Sequence, residues 1–199
     1  MKVNEIFCSI LGEGRYAGKP AIFIRLSGCN RKCKWCDTKY HESGQEINTN
    51  EIVKEIEKAG HKIVVWTGGE PALQAEEIYK VIRNTPGHEH HLETNGEQRM
   101  DYSYFHYVCF SPKTIKAMEK AIRFCNDWWW NECDIKVVTD LDKVNKHLIT
   151  RASILMPLTT YDERKDREIK QRVWKFCIEH KKRYSPRLQV DVWGCRRGV

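Results

Sequence analysis

The sequence predicts an α/β protein: a partial, open (β/α)6-type barrel around a mostly parallel sheet. Three observations lead to this class. Short β-branched apolar runs alternate with amphipathic stretches along the chain, the pattern of repeated strand–helix units. About six such units fit in 199 residues, whereas a closed eight-unit barrel takes about 250. Glycines or polar residues follow each strand end, where parallel α/β folds carry their sites.

Pro20–Leu26 (PAIFIRL) is short, apolar and β-branched, and reads as a buried strand. Thr49–Gly60 has Ile52, Val53 and Ile56 at helical spacing, a cap candidate at its start and Gly60 at its end. Lys62–Pro71 is a strand that runs into a glycine turn, and 74–83 is a helix. HHLETNG, YVCFSPK, DIKVVTD and SILMPL supply four further strands. Helices are expected near Lys113–Cys125, Leu141–Leu148 and Asp162–Lys182, and Arg187–Trp193 (RLQVDVW) reads as a last strand. With no linker, readable repeat or low-complexity tract, residues 1–199 are expected to form a single domain.

Hydrophobic residues make up 41% of the chain and mean hydropathy is −0.64, which excludes a disordered chain. No apolar run approaches the roughly 18–20 residues of a membrane span. The start, MKVNEIFCSILGEG, lacks the basic-then-apolar pattern of a signal peptide. A cytoplasmic protein with no membrane partner is expected. In a reducing compartment, nine cysteines with three clustered point to metal rather than disulfides. The net charge of +7 is scattered except at His180–Arg183, a solvated helix end, so no direct nucleic-acid partner is expected.

The loop GCNRKCKWCDTKY holds Cys29, Cys33 and Cys36 in C-x3-C-x2-C spacing. A structural zinc site wants four ligands and a disulfide framework an even number. Thiolates suit zinc, Cu(I) or iron–sulfur centres, and a four-iron cluster usually takes four cysteines. Three therefore leave one iron open for another ligand. Asn30, Arg31, Lys32 and Lys34 surround the loop with charge and donors that favour thiolates, and Trp35 can shield the centre. The alternative is a zinc site completed by Cys8, Cys109 or Cys195. Further along, the glycines of Thr67-Gly68-Gly69-Glu70-Pro71 let backbone approach a ligand closely, and Glu70 adds charge. Ser111-Pro112-Lys113 reads as a helix start.

The cysteine loop, with an aromatic residue before its last cysteine and a GGEP turn following in order, resembles the signature of the radical S-adenosylmethionine (SAM) superfamily. That resemblance implies a four-iron cluster on Cys29, Cys33 and Cys36 that binds and cleaves SAM. EIFCSILGEGRYAGKPAIFIRLSGCNRKCKWCDTKYH, and then VWTGGEPALQ, HHLETNG, FSPK, IKVV and the late MP, resemble the 7-carboxy-7-deazaguanine synthase family over most of the chain. The family contracts 6-carboxy-5,6,7,8-tetrahydropterin to 7-carboxy-7-deazaguanine with loss of ammonia, using Mg²⁺ as well.

By this resemblance Trp35, Cys36, Asp37, Gly69, Glu70, Ser111, Pro112 and Lys113 would contact SAM. Met156, Pro157, Leu158 and Thr159 would form a further SAM segment. Thr38 would bind Mg²⁺, for which a hydroxyl is a suitably hard donor. Ile10, Leu11, Gly12, Glu13, Arg25, Thr67 and Glu93 would hold the pterin, Arg25 by its carboxylate and the two glutamates by its N–H donors. A reductant such as flavodoxin and a homodimer are implied too. The chain departs from the family pattern where many members have a glutamine and this one has Leu11. A second departure is near the C-terminus, where Gln189 and Asp191 stand in place of a histidine that approaches the substrate. Met156-Pro157 replaces a Gln-Pro of some relatives.

Among other features, His88, His90 and His91 are expected to be exposed strand histidines. Trp128-Trp129-Trp130 would lie in the core, at a dimer contact or over an exposed patch. Cys8, Cys109, Cys125, Cys133 and Cys177 would be small buried hydrophobes. Two other functions are weighed: an activase that installs a glycyl radical on a partner protein, and a non-catalytic zinc or nucleic-acid-binding module.

Overall fold

The computed structural model describes residues 1–38, 41–127 and 132–199; Trp128–Trp130 lie outside them. Among the described residues one nine-stranded sheet runs through the fold. β1 (Lys2–Ile10) pairs antiparallel with β2 (Pro20–Leu26) and, on its other side, with the two-residue β3 (Gln45–Glu46). From β2 onward the pairing is parallel and in chain order: β4 (Ile63–Gly68), β5 (Glu89–Thr94), β6 (Tyr107–Phe110), β7 (Glu132–Thr139), β8 (Ile154–Pro157) and β9 (Arg183–Tyr184). The sheet stays open between β3 and β9. The connections carry α1 (Thr49–Ala59), α2 (Ala75–Arg83), α3 (Ile115–Asp127) and α4 (Glu163–Glu179), with 3₁₀ turns after β4, β5 and β7. A short α5 (Leu188–Trp193) follows β9. The expected partial, open barrel is therefore present. Among the described residues no helix is long and apolar enough to cross a membrane.

The two faces of the sheet differ because strand side chains alternate. Ile22, Ile24, Leu26, Val64, Trp66, Leu92, Val108, Ile135, Val137 and Leu155 face the helices. They pack there on Ile52, Ile56, Ile78, Val81, Met118, Ala121 and Val173. The opposite, concave face holds a smaller apolar floor of Leu11, Ala21, Ile63 and Val65 with Tyr16 and Phe23. Above that floor the concave positions become polar. Arg25 is in register with Thr67, and Glu93 with Cys109. Burial on the convex face holds the sheet together and frees the concave face for chemistry.

Several expectations are corrected. RLQVDVW is not a strand: α5 starts at Leu188, and Val192 and Trp193 are exposed. Its alternation was misleading because Arg187 and Leu188 tie this segment to the Glu13 loop instead of a sheet edge; Leu188 N–H donates to the Gly12 carbonyl at 3.0 Å. The helix expected over Leu141–Leu148 shrinks to a 3₁₀ turn at Lys146–Arg151. Asp140 draws the backbone N–H groups of Asp142, Lys143 and Val144 into a turn, and Leu141 and Asn145 take positive φ. The N-terminal strand β1 went unread because its mixed half-exposed pattern gives no clean alternation. Cys8 on β1 is exposed, and Cys125 and Cys133 are joined in a disulfide between α3 and β7.

His90 and His91 are buried, not exposed. The Trp66 indole N–H donates to His90 Nδ1 at 3.1 Å, and His90 Nε2 lies 3.1 Å from the Thr85 hydroxyl. Burial lowers the pKa of each to about 4. A neutral buried histidine stabilises the fold above its unfolded pKa of about 6.5, and that contribution is lost as pH falls toward 4. Unfolding free energy is therefore expected to drop on acidification, by up to about 1.4 kcal/mol per pH unit for each histidine. Denaturant titrations between pH 7 and pH 4.5 check this, and a flat profile contradicts it.

Candidate active site

The C-terminal ends of the parallel strands surround a cavity of about 720 Å³, a volume suited to a small-molecule site. The cysteine loop after β2 forms one wall, with Cys29, Cys33, Trp35, Cys36, Asp37 and Thr38 lining it. Ile10, Leu11, Gly12 and Glu13 enter from the β1–β2 connection, and Arg25, Thr67 and Glu93 rise from strands β2, β4 and β5. Gly69, Ser111, Lys113, Met156, Leu158 and Thr159 complete the predicted lining. Glu70, Pro112 and Pro157 are not among the lining residues.

Glu70 has a different place. Its buried carboxylate accepts from the Thr94 hydroxyl at 2.6 Å, Asn95 N–H at 2.7 Å and Ala72 N–H at 3.1 Å. It thus bolts the GGEP turn to the end of β5. Burial raises its pKa, against the pull of those three donors.

The cysteine loop is clamped from outside the motif. Glu97 receives Arg31 through both carboxylate oxygens, at 2.8 and 2.5 Å, and Asn30 at 3.1 Å. Arg31 holds the Glu97 pKa down. Asn95 donates to Asn30 at 2.7 Å. Within the loop, Arg31 N–H points at Cys29 Sγ and Thr38 N–H at Cys36 Sγ, both at 3.4 Å. Among the described residues no three Cys, His, Asp or Glu side chains close up to metal-binding spacing; the three thiols share a cavity wall. Burial raises the pKa of Cys29 and of Cys36, and neighbouring charges, those of the other thiols included, raise it further. Three cysteine sulfurs from one loop are soft donors of the kind iron–sulfur clusters take, so the donor chemistry fits such a cluster with one iron left open.

From the cysteine loop a chain of charges runs along the cavity lining. Asp37 pairs with Arg187 Nη2, and Arg187 Nε reaches Glu13 Oε1 at 3.2 Å. Glu13 Oε2 lies 2.9 Å from Lys136 Nζ, which lies 3.0 Å from Glu93 Oε2. Gln189 donates to Glu13 at 2.7 Å. Despite burial, Lys136 and Arg187 lower the Glu13 pKa to about 2. Lys113 is pushed down by burial. Arg25 faces the cavity, while its Nε donates to Glu5 on the adjacent strand at 2.9 Å. Arg197 also pairs with Glu5, at 2.6 Å, and Ser9 donates to the Val199 carbonyl, so the tail folds back onto β1 and lines the cavity.

Lys136, Arg187 and Glu97 were missed by sequence reasoning. A signal existed for Lys136, a lone lysine in the apolar run Ile135–Val138. Arg187 and Glu97 gave none, since each acts across a long sequence separation. Gln189, from the other end of the chain, donates its amide to Glu13 and packs so closely on Gly12 that a Cβ there would meet its Oε1 at 1.7 Å.

Residues 23–126 match the Radical SAM superfamily. A 7-carboxy-7-deazaguanine synthase of Hyperthermus butylicus is 31% identical over 96% of this chain and 92% of that protein. One of Pyrobaculum aerophilum is 32% identical over 100% and 97%, and one of Bacteroides thetaiotaomicron 43% over 56% and 60%. Among solved structures the fold is similar to QueE from Escherichia coli, with a TM-score of 0.67, 24% identity and 92% of both chains covered.

Proposed function

Because the chain belongs to the radical SAM superfamily and, within it, to the 7-carboxy-7-deazaguanine synthase family, we propose that it contracts 6-carboxy-5,6,7,8-tetrahydropterin to 7-carboxy-7-deazaguanine with loss of ammonia. Membership makes it an enzyme of 7-deazapurine biosynthesis, acting on a small molecule with a four-iron cluster and SAM. The activase alternative is not favoured, since relatives that align over the whole chain are named synthases.

One observation carries the substrate reading: the three-thiol loop and the Glu13–Glu93 carboxylates line the same cavity. A cluster bound there would supply the electron for reductive cleavage of SAM and, through it, radical abstraction of a substrate hydrogen. The chain's own residues bind and orient. Cys29, Cys33 and Cys36 would hold the cluster, while Gly69, Ser111 and Lys113 would line the SAM side. Arg25, braced by Glu5, would take the pterin carboxylate, and Glu93 with Thr67 would meet ring N–H donors. The folded-back tail would limit water in the cavity.

Mg²⁺ belongs to this proposal through Thr38, a buried hydroxyl on the cavity wall that donates to Asp37 at 3.1 Å. Thr38→Ala is expected to lose most of the stimulation of turnover by Mg²⁺ while the visible absorbance of the cluster persists. An unchanged Mg²⁺ titration removes Thr38 from the metal site. The reading includes an external one-electron donor such as a flavodoxin, and a homodimer that sedimentation would test.

The deciding experiment is an anaerobic assay of the reconstituted protein with reductant, SAM, Mg²⁺ and the tetrahydropterin, read by mass spectrometry. Carboxydeazaguanine is the expected product. Deoxyadenosine alone would keep the radical chemistry and refute the substrate.

A further inference from the structure

Lys136 stands at the middle of the chain of charges with no role in the motifs. It is 4% exposed, and a lysine is almost never buried to that extent unless paired. Its neighbours Ile135 and Val137 face the helices, so strand alternation turns Lys136 into the concave side. Its ammonium bridges Glu13, from the β1–β2 connection, and Glu93, from the end of β5, at 2.9 and 3.0 Å.

The two carboxylates are unequal. A carboxylate has about four acceptor positions. Glu13 fills three of them with Lys136, Arg187 and Gln189. Glu93 takes Lys136 and the Cys109 thiol, which leaves more of its acceptor edge for a ligand. Glu13 also keeps a second cation, Arg187, if Lys136 is lost. Glu93 would then face burial and the charge of Glu13, and would take up a proton. A protonated carboxyl donates where an N–H partner needs an acceptor.

We propose that Lys136 is a positioning residue for the pterin: by bridging Glu13 and Glu93 it keeps Glu93 ionised and turned to accept from the ring N–H donors. The inference rests on the function proposed above and deepens it. The direction of the Glu93 pKa agrees, since burial already raises it with Lys136 in place, whereas Glu13 is held low. Other titratable and charged groups around this bridge include Tyr107 and Cys109 on β6, Asp134 on β7, Lys113 before α3 and Arg187 before α5.

The test is equilibrium binding of 6-carboxypterin, a stable fluorescent relative of the substrate, to the reconstituted protein with SAM. Lys136→Met is expected to weaken binding about 30-fold or more, the loss of one or two charge-assisted hydrogen bonds. The cluster's visible absorbance should persist. Binding by this variant should recover as pH is raised and Glu93 ionises, a recovery absent from the wild-type protein, where Lys136 already holds Glu93 ionised. Lys136→Arg, which keeps the charge, should recover most of the affinity. If Lys136→Met does not fold, the double variant Glu93→Gln/Lys136→Met removes one charge of each sign and carries the test; wild-type affinity in it overturns the proposal. So does wild-type affinity in Lys136→Met, or equal losses in Met and Arg variants without pH recovery. A wild-type protein that neither binds nor converts the pterin sinks the substrate reading and this inference together. Wild-type binding with a silent Lys136→Met sinks this inference alone.

Discussion

Cys33→Ala is expected to abolish SAM cleavage, with deoxyadenosine falling to the level of protein without iron. The three thiols are not interchangeable. Cys29 is addressed by the N–H of Arg31, Cys36 by the N–H of Thr38, and the Cys33 carbonyl holds the turn by accepting from Cys36 N–H at 3.1 Å. Alanine keeps that backbone turn, so the loss would be chemical rather than structural. Two thiolates cannot hold three irons of a cluster whose fourth must stay open. The contrasting variant is Cys8→Ala. Cys8 is exposed on β1 and does not line the cavity, so the cluster should load and SAM cleavage should survive. If instead Cys8→Ala removes the metal and Cys33→Ala turns over SAM, the three-thiol cluster is wrong and a zinc site completed by a distant cysteine takes its place.

Gly69→Ala is the second large effect, and its cause is steric. A Cβ at this position would sit 1.9 Å from the Gly28 carbonyl oxygen and 3.1 Å from Cys29 Cβ. The first of these is backbone and has no side-chain freedom with which to move away. The same contact region carries two ties, Gly69 N–H to the Leu26 carbonyl at 3.1 Å and Glu70 N–H to the Gly28 carbonyl at 2.8 Å. They extend the β2–β4 pairing past the strand ends and hold the GGEP turn against the cysteine loop. Overpacking there is expected to cost about 1–3 kcal/mol of stability. The two loops would separate, and SAM affinity should fall by about 100-fold, which is about 2.7 kcal/mol. Thermal unfolding and equilibrium SAM binding measure the two effects. An unchanged SAM affinity would show that the close approach serves folding alone. Gly68 is constrained for a second reason, because its φ of 128° is open to glycine and strained for other residues.

The motif residues were legible because their chemistry is local. Cys29, Cys33 and Cys36 sit within eight residues, and TGGEP follows one strand without interruption. The strands β2 and β4–β8 were legible for a related reason, since burial against helices writes a continuous apolar run into the sequence. RLQVDVW was misread because short alternation is ambiguous without knowledge of a free sheet edge, and the segment is held by Glu13 and Asp37 instead. The histidines in GHEHHLETNG were misread because nothing local announces Trp66 or Thr85 as their neighbours.

The sequence by itself determined the fold class, the cluster loop and the order of the motifs, because each depends on spacing of a few residues or on a periodic pattern. Only the tertiary structure decided which charges meet. Lys136 reaches Glu13 across 123 residues and Arg187 reaches it across 174. Glu70 turned out to fasten the GGEP turn to the end of β5, and Gln189 to donate to Glu13 from the far end of the chain. The physical reason is range. Periodicity and metal-ligand spacing are properties of neighbouring residues, whereas an ion pair is a property of a few ångströms in space, and the chain gives no sign of which distant segments the folded sheet will bring that close.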